Sequence, residues 1–124
     1  MLSLFAKKKR VLVLDDDPAV QRLVRLLLER AGFRVDVVSK GNAAIDAIQR
    51  QSYDALLLDL MMPTEGGMTV LKHLRGHKPE MLKRAILLTS TPDSVLKTIA
   101  GDVSAVVKKP FVADELIAAV ERVA

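Results

Sequence analysis

Five short apolar runs, each followed by a stretch of helical periodicity, predict an α/β fold: a doubly wound, five-stranded parallel sheet with helices on both faces. Strict alternation of the two patterns, with no linker, repeat or low-complexity tract between them, is the second observation. The third is the position of the polar residues. Asp15-Asp16, Asp59, Thr89 and Lys109-Pro110 each follow the carboxyl end of an apolar run. In an open parallel sheet, that edge is where ligands bind.

The elements follow in chain order. Val11-Leu12-Val13-Leu14 is short, partly β-branched and bounded by acids, and reads as a buried strand. Asp17-Pro18 opens a helix, because an aspartate caps free amides and proline suits the first helical position. Val20, Leu23, Val24, Leu27 and Leu28 recur at helical spacing, and Gly32 ends that helix. Arg34 to Val38 alternates, as in a strand at a sheet edge. Ala44, Ile45 and Ile48 mark a short second helix. Ala55-Leu56-Leu57-Leu58 is the most apolar run and reads as a central strand. Met62-Pro63 and Gly66-Gly67 form a loop, which the two glycines make flexible. A helix with Met68, Leu71 and Leu74 ends near Gly76. Ala85-Ile86-Leu87-Leu88 is the fourth strand. Thr91-Pro92 starts a helix that carries Val95, Leu96 and Ile99 and stops at Gly101. Val103 to Val107 is the fifth strand. The last helix uses Val112, Leu116, Ala119, Val120 and Val123. Right-handed crossovers restrict the topology, and a flavodoxin-like (βα)5 order of 2-1-3-4-5 is expected, with its switch point between strands 1 and 3.

A chain of 124 residues suits one domain. Half of it is hydrophobic but only 3% aromatic, so the core must be aliphatic. Without cysteine there is no disulfide and no thiolate-bound metal, which fits a cytoplasmic protein. The formal charge is +4, and Lys7, Lys8, Lys9 and Arg10 account for it: without them, fifteen basic residues face fifteen acidic ones. The body is therefore not a nucleic-acid-like surface, and direct nucleic-acid binding is not expected. Residues 1–9 read as a basic lead-in to a domain over 10–124. Their apolar stretch is too short for a signal peptide or a membrane span, and its charges follow it rather than precede it. A solvated lead-in, without membrane contact, is the expectation. A surface tether anchored by Leu2, Leu4 and Phe5 is the alternative.

The polar residues define a chemistry. Asp15, Asp16 and Asp59 would meet at the switch point, where clustered carboxylates repel one another unless a cation joins them. Hard oxygen ligands favour magnesium, or manganese, over zinc. A carboxylate is also a nucleophile toward phosphorus. A metal and the Lys109 ammonium would offset charge on the phosphoryl oxygens, and the Thr89 hydroxyl could donate to one of them. Asp17 reads as a helix cap only. His73 and His77 stand four residues apart, the spacing of a metal pair, but Gly76 interrupts them and a solvated helix end is expected. Lys72, Arg75, Lys78, Lys83 and Arg84 form a basic region that is either a solvated face or a partner-docking face.

Taken in order, Val11-Leu12-Val13-Leu14-Asp15-Asp16-Asp17-Pro18, Asp59-Leu60-Met61-Met62-Pro63 with Gly67, Leu87-Leu88-Thr89-Ser90 and Lys109-Pro110-Phe111 resemble the receiver domain of two-component response regulators over residues 10–124. The resemblance implies that Asp59 is the phosphoacceptor. It implies a magnesium site of Asp15, Asp16, Asp59 and the Met61 backbone carbonyl, with Asp16 the direct ligand and Asp15 acting through water. It implies phosphoryl contacts from Thr89 and Lys109, and a Lys-Pro peptide that is often cis in this family. The implied partners are a histidine kinase or phosphotransfer protein and a downstream protein, with the domain a monomer or weak dimer. It would be a signalling module rather than an enzyme, catalysing only its own phosphorylation and dephosphorylation.

The chain also departs from that family. An aromatic usually stands three residues before the lysine, where this chain has Val106, and it swings inward as the threonine moves. The segment from Thr89 to Lys109 is shorter than the family pattern by about two residues, chiefly around the fourth helix. Gly66 replaces the acid that often precedes Gly67. Ser90 is small and leaves the acceptor open. Met61 and Thr91 flank the path of attacking water without supplying a general base, so slow self-dephosphorylation is expected. Two other functions fit parts of the pattern. One is a degenerate receiver that acts as a phosphorylation-independent interaction domain. The other is a haloacid-dehalogenase-type phosphatase with Asp15 as nucleophile, which would leave Asp59 without a role.

Overall fold

Neighbouring apolar runs become strands by completing one another's backbone hydrogen bonds, and all five do so in parallel. A computed structural model describes residues 7–63 and 65–124. In chain order the elements are β1 (Arg10–Leu14), α1 (Pro18–Arg30), β2 (Arg34–Val38), α2 (Gly41–Arg50), β3 (Ala55–Leu58) and α3 (Gly67–His77). A 3-10 turn (Pro79–Arg84) follows, then β4 (Ala85–Thr89), α4 (Asp93–Ile99), β5 (Ala105–Lys108) and α5 (Ala113–Val123). The strand order is β2-β1-β3-β4-β5, as the alternation predicts. Asp17 caps α1 through its side chain, which accepts a hydrogen bond from the Ala19 amide at 2.8 Å, and Pro18 is the first helical residue. Gly32 follows the helix end with φ 99°, a conformation that favours glycine.

Alternate residues of the strands feed two separate aliphatic layers. Leu12, Leu14, Leu56, Leu58, Ala85 and Leu87 pack against α2, α3 and Leu96 of α4. Val11, Val13, Ala55, Leu57, Ile86, Leu88 and Val107 pack against α1 and α5. Sandwiched in this way, β1, β3 and β4 are buried almost throughout, so the carboxyl ends of three central strands are rigidly placed. Among the described residues, no helix is long and apolar enough to cross a membrane.

Several expectations need correction. The fifth strand begins at Ala105, not Val103. The Val103 amide donates to the Ala100 carbonyl at 3.3 Å and so closes the end of α4 instead of joining the sheet. Val112 belongs to no apolar stripe: it precedes α5 and is 65% exposed. The glycine pair meets a steric demand. Gly66 and Gly67 are buried, and a Cβ on Gly67 would lie 2.7 Å from the Asp59 carbonyl oxygen, so close approach of backbone to backbone demands glycine there. The basic region is partly spent on internal ties. Arg75 donates two 2.7 Å bonds to Asp102 and one to the Ile99 carbonyl, and Arg84 donates to the Tyr53 carbonyl. The tether alternative for Leu2, Leu4 and Phe5 concerns residues outside those described.

Candidate functional site

Register places the acids. Leu14 of β1 pairs with Leu58 of β3, so the residues that follow, Asp15 and Asp59, emerge side by side. The Asp59 amide donates to the Leu14 carbonyl at 3.0 Å, which extends the ladder into the site. Both carboxylates are buried, at 0% and 3% exposure, while Asp16 faces solvent.

The two buried acids are held in matching ways. Asp15 accepts the Asp17 amide on Oδ1 at 2.9 Å and the Lys109 ammonium on Oδ2 at 2.8 Å. Asp59 accepts the Met61 amide on Oδ1 at 2.9 Å and the same ammonium on Oδ2 at 3.3 Å. Lys109 reaches them from directly after the end of β5, and its peptide bond to Pro110 is cis. The Asp15 carbonyl accepts from the Gln21 side chain, and the Asp59 carbonyl accepts the Gly67 amide at 2.7 Å. Charge-assisted bonds of this kind fix carboxylate orientation as well as position.

Carboxylate oxygens of Asp15, Asp16 and Asp59 lie within 4.8 Å of one another. Burial pushes the Asp59 pKa up, and the Asp15 charge adds to this; the Met61 amide and Lys109 oppose it without cancelling it. Burial alone would lower Lys109, but its bonds to Asp15 and Asp59 outweigh that and hold it above its ordinary value. One ammonium thus faces three carboxylates, leaving a negative charge that a divalent cation would balance.

The acids and Lys109 come together as their sequence positions predict. Thr89 ends β4 in full burial, but its hydroxyl is engaged by Thr91: the two Oγ1 atoms are 2.7 Å apart and the Thr91 amide donates to Thr89 Oγ1 at 3.1 Å. Burial and hydrogen bonding hold Asp15 and Asp59 alike, so the ground against Asp15 as nucleophile is that it would leave Asp59 without a role. His73 and His77 stack at 4.5 Å between ring centroids at the far end of α3 and have no part in the site. Sequence reasoning misses Gln21, Lys108 and the occupation of Thr91. Lys108 donates to the Thr91 carbonyl and pairs with Asp93 at 3.1 Å. The i, i+2 spacing of Thr89 and Thr91 is a hydroxyl-turn signal that could have revealed that pairing. Nothing local marks Gln21.

Comparison with known proteins identifies the family. A family model described as the response regulator receiver domain matches residues 11–121. The response regulator MprA of Mycobacterium tuberculosis is 39% identical over 112 residues, covering 88% of this chain and 47% of that protein. The cell cycle transcriptional regulator CtrA of Caulobacter vibrioides is 35% identical over 114 residues, covering 92% and 49%. The chain therefore spans about half the length of the curated relatives it matches. Among solved structures, the response regulator TrrA of Thermotoga maritima, in complex with Mg(2+)-BeF, superposes with a TM-score of 0.83 at 30% identity, covering 94% of this chain and 99% of that one. The chemotaxis response regulator CheY4 of Vibrio cholerae shares the fold, with a TM-score of 0.82 at 24% identity over 95% of this chain and all of that one. Since the family match runs from β1 into the last turns of α5, the chain belongs to the response regulator receiver domain family of two-component systems.

Proposed function

We propose that this domain is a phosphoacceptor whose Asp59 takes a phosphoryl group from the phosphohistidine of a histidine kinase or phosphotransfer protein, with magnesium bound, and thereby changes its affinity for a downstream protein. The observation that carries this reading is the Lys109 ammonium bridging Asp15 and Asp59 beside exposed Asp16. An Asp59 carboxylate oxygen attacks phosphorus and the phosphorus–nitrogen bond breaks. The imidazole leaves with the electron pair and takes up a proton. The acyl phosphate stays on Asp59.

The donor set fits magnesium, with manganese as an alternative: clustered carboxylate oxygens, no thiolate, and one solvent-facing acid that leaves room for water ligands. Asp15, Asp16, Asp59 and the Met61 carbonyl would hold the ion, and its charge would stabilise the phosphoryl oxygens. By resemblance to the family, Asp15 would make its contact through water and solvent-facing Asp16 would ligate directly. Lys109 orients and neutralises the acceptor side, and Thr89 donates to a phosphoryl oxygen. The magnesium-containing TrrA structure supports the same assignment by likeness. The output is contact with a protein by a monomeric or weakly dimeric, cytoplasmic signalling module without turnover of an external substrate.

Intact mass after incubation with acetyl phosphate and magnesium tests the assignment. Wild type gains one phosphoryl group, and Asp59→Asn or chelation of the metal abolishes the gain; an adduct surviving Asp59→Asn would place the acceptor elsewhere. The lifetime of the adduct is a second prediction. Thr91 is buried and bound to Thr89, and Met61 carries no base, so neither activates water. Decay by self-hydrolysis is expected over minutes or longer, and decay within seconds in purified protein would refute it.

A further inference from the structure

We propose that Thr91 and Lys108 are positioning residues that carry the state of Thr89 to the groove between α4 and β5. The proposal rests on the assignment of Asp59 as acceptor and adds a route out of that site.

The route begins at Thr89. Thr89 and Thr91 are both buried, and Thr91 holds Thr89 Oγ1 twice, through its amide and through its hydroxyl. Two hydroxyls that share one hydrogen bond have one proton in it and one outside it. A phosphoryl group on Asp59 selects the arrangement in which Thr89 turns its proton outward and moves toward the acceptor. Thr91, tied to the same oxygen by two bonds, must follow or lose both, and a buried polar group left without a partner is strongly disfavoured.

Lys108 takes up that movement. It pairs with Thr89 in the β4–β5 register, and the Lys109 amide beyond it donates to the Thr89 carbonyl at 2.9 Å. Successive residues of a strand point to opposite sides. Lys109 accordingly enters the acidic site, while Lys108 turns to α4, donating to the Thr91 carbonyl and to Asp93 in the first turn of that helix. The Asp93 pair is solvent-exposed and weak. The Thr91 carbonyl is therefore the contact that transmits. Lys108 and Asp93 also line an open groove with Leu96, Lys97 and Val106. Val106 is 37% exposed and too small to fill that groove, so no large side chain there competes with Lys108 as the moving part.

The test is backbone amide NMR of the full chain with magnesium, adding beryllofluoride as the phosphoryl mimic. Site amides (Met61, Lys109) are read separately from groove amides (Leu96, Lys97, Val106). In wild type both sets shift. Lys108→Met should keep the site shifts while the groove shifts fall by roughly half or more, and Lys108→Arg should restore them. Thr91→Val, which removes the hydroxyl link, should give the same loss at the groove, with recovery in Thr91→Ser. Groove shifts of wild-type size in both Lys108→Met and Thr91→Val overturn the route while leaving Asp59 as acceptor. Site amides that stay still in wild type, or that respond equally in Asp59→Asn, overturn the acceptor assignment and this route with it. Unliganded spectra verify that each variant is folded, and the Arg and Ser variants keep the test decisive if Met or Val disturbs the fold.

Discussion

Burial raises the pKa of Asp59, so its ionised form is favoured less in the folded protein than in the unfolded chain. The contribution of Asp59 to stability is fully present below the ordinary carboxylate pKa and is lost as pH rises through the higher, folded value. At neutral pH, Asp59 is therefore a charge that the fold tolerates at a cost. Asp59→Asn keeps the shape, removes the charge and should raise the melting temperature in metal-free buffer at neutral pH by about 4 °C. That gain should shrink as pH falls into the ordinary carboxylate range, where wild-type Asp59 is protonated. Thermal melts at several pH values check both parts, and a lower melting temperature for Asp59→Asn at neutral pH would show the carboxylate to be fully compensated. Lys109 has the same sign of linkage in a higher pH window. Its pKa is raised by Asp15 and Asp59, so its stabilising effect holds through neutrality and fades only as pH rises past the ordinary lysine range.

At the scale of elements, helix α3 carries a glycine near each end, and the two have opposite meanings. Gly67 opens the helix under the Asp59 carbonyl, where a Cβ would meet backbone at 2.7 Å. Gly76 lies in the last turn, and among the described residues nothing beyond its chain neighbours and its own helix backbone comes within 4 Å of its missing Cβ. Gly67→Ala should destabilise by about 1–3 kcal/mol, because the atom in the way is the backbone carbonyl oxygen of Asp59. Gly76→Ala should stabilise by about 0.5–1 kcal/mol through helix propensity and a less disordered unfolded chain. Urea denaturation measures both, and equal effects of one sign would refute the distinction. Sequence alone does not separate these glycines, because the difference lies in what approaches them from β3. The same limit governs the rest. Val11–Leu14, Ala55–Leu58 and Asp17-Pro18 are legible because local pattern and burial agree. Val103 reads as strand by its type, yet its amide is claimed by the end of α4. The Pro79–Arg84 turn has no apolar periodicity to announce it. Asp15, Asp59 and Lys109 are legible because strand ends in a parallel sheet converge by topology. The pairing of Thr91 with Thr89 and the reach of Lys108 depend on side-chain geometry that spacing only hints at.

At the scale of the whole molecule, the acidic site is the point where separate layers are joined. Asp15 leaves β1, Asp59 leaves β3 and Lys109 leaves β5, so one cluster ties strands that share no continuous segment of chain. Each of those strands feeds a buried aliphatic layer: Leu14 and Leu58 the layer against α2 and α3, Val107 the layer against α1 and α5. A cation bound by Asp15, Asp16 and Asp59 would therefore act on global stability and not on one loop, because the unfolded chain cannot gather acids so far apart in sequence. Saturating magnesium at about a hundred times its dissociation constant adds roughly 2.7 kcal/mol by mass action. For a domain of this size, the melting temperature should rise by roughly 10 °C. Asp16→Asn removes the solvent-facing ligand without disturbing the buried Asp15–Lys109–Asp59 bridge, so it should leave the metal-free melting temperature nearly unchanged while abolishing most of the magnesium-dependent rise. Calorimetry with and without the ion separates the two effects. A full magnesium response in Asp16→Asn would remove that residue from the ligand set, whereas a fallen metal-free melting temperature would show that Asp16 helps to hold the sheet edge together.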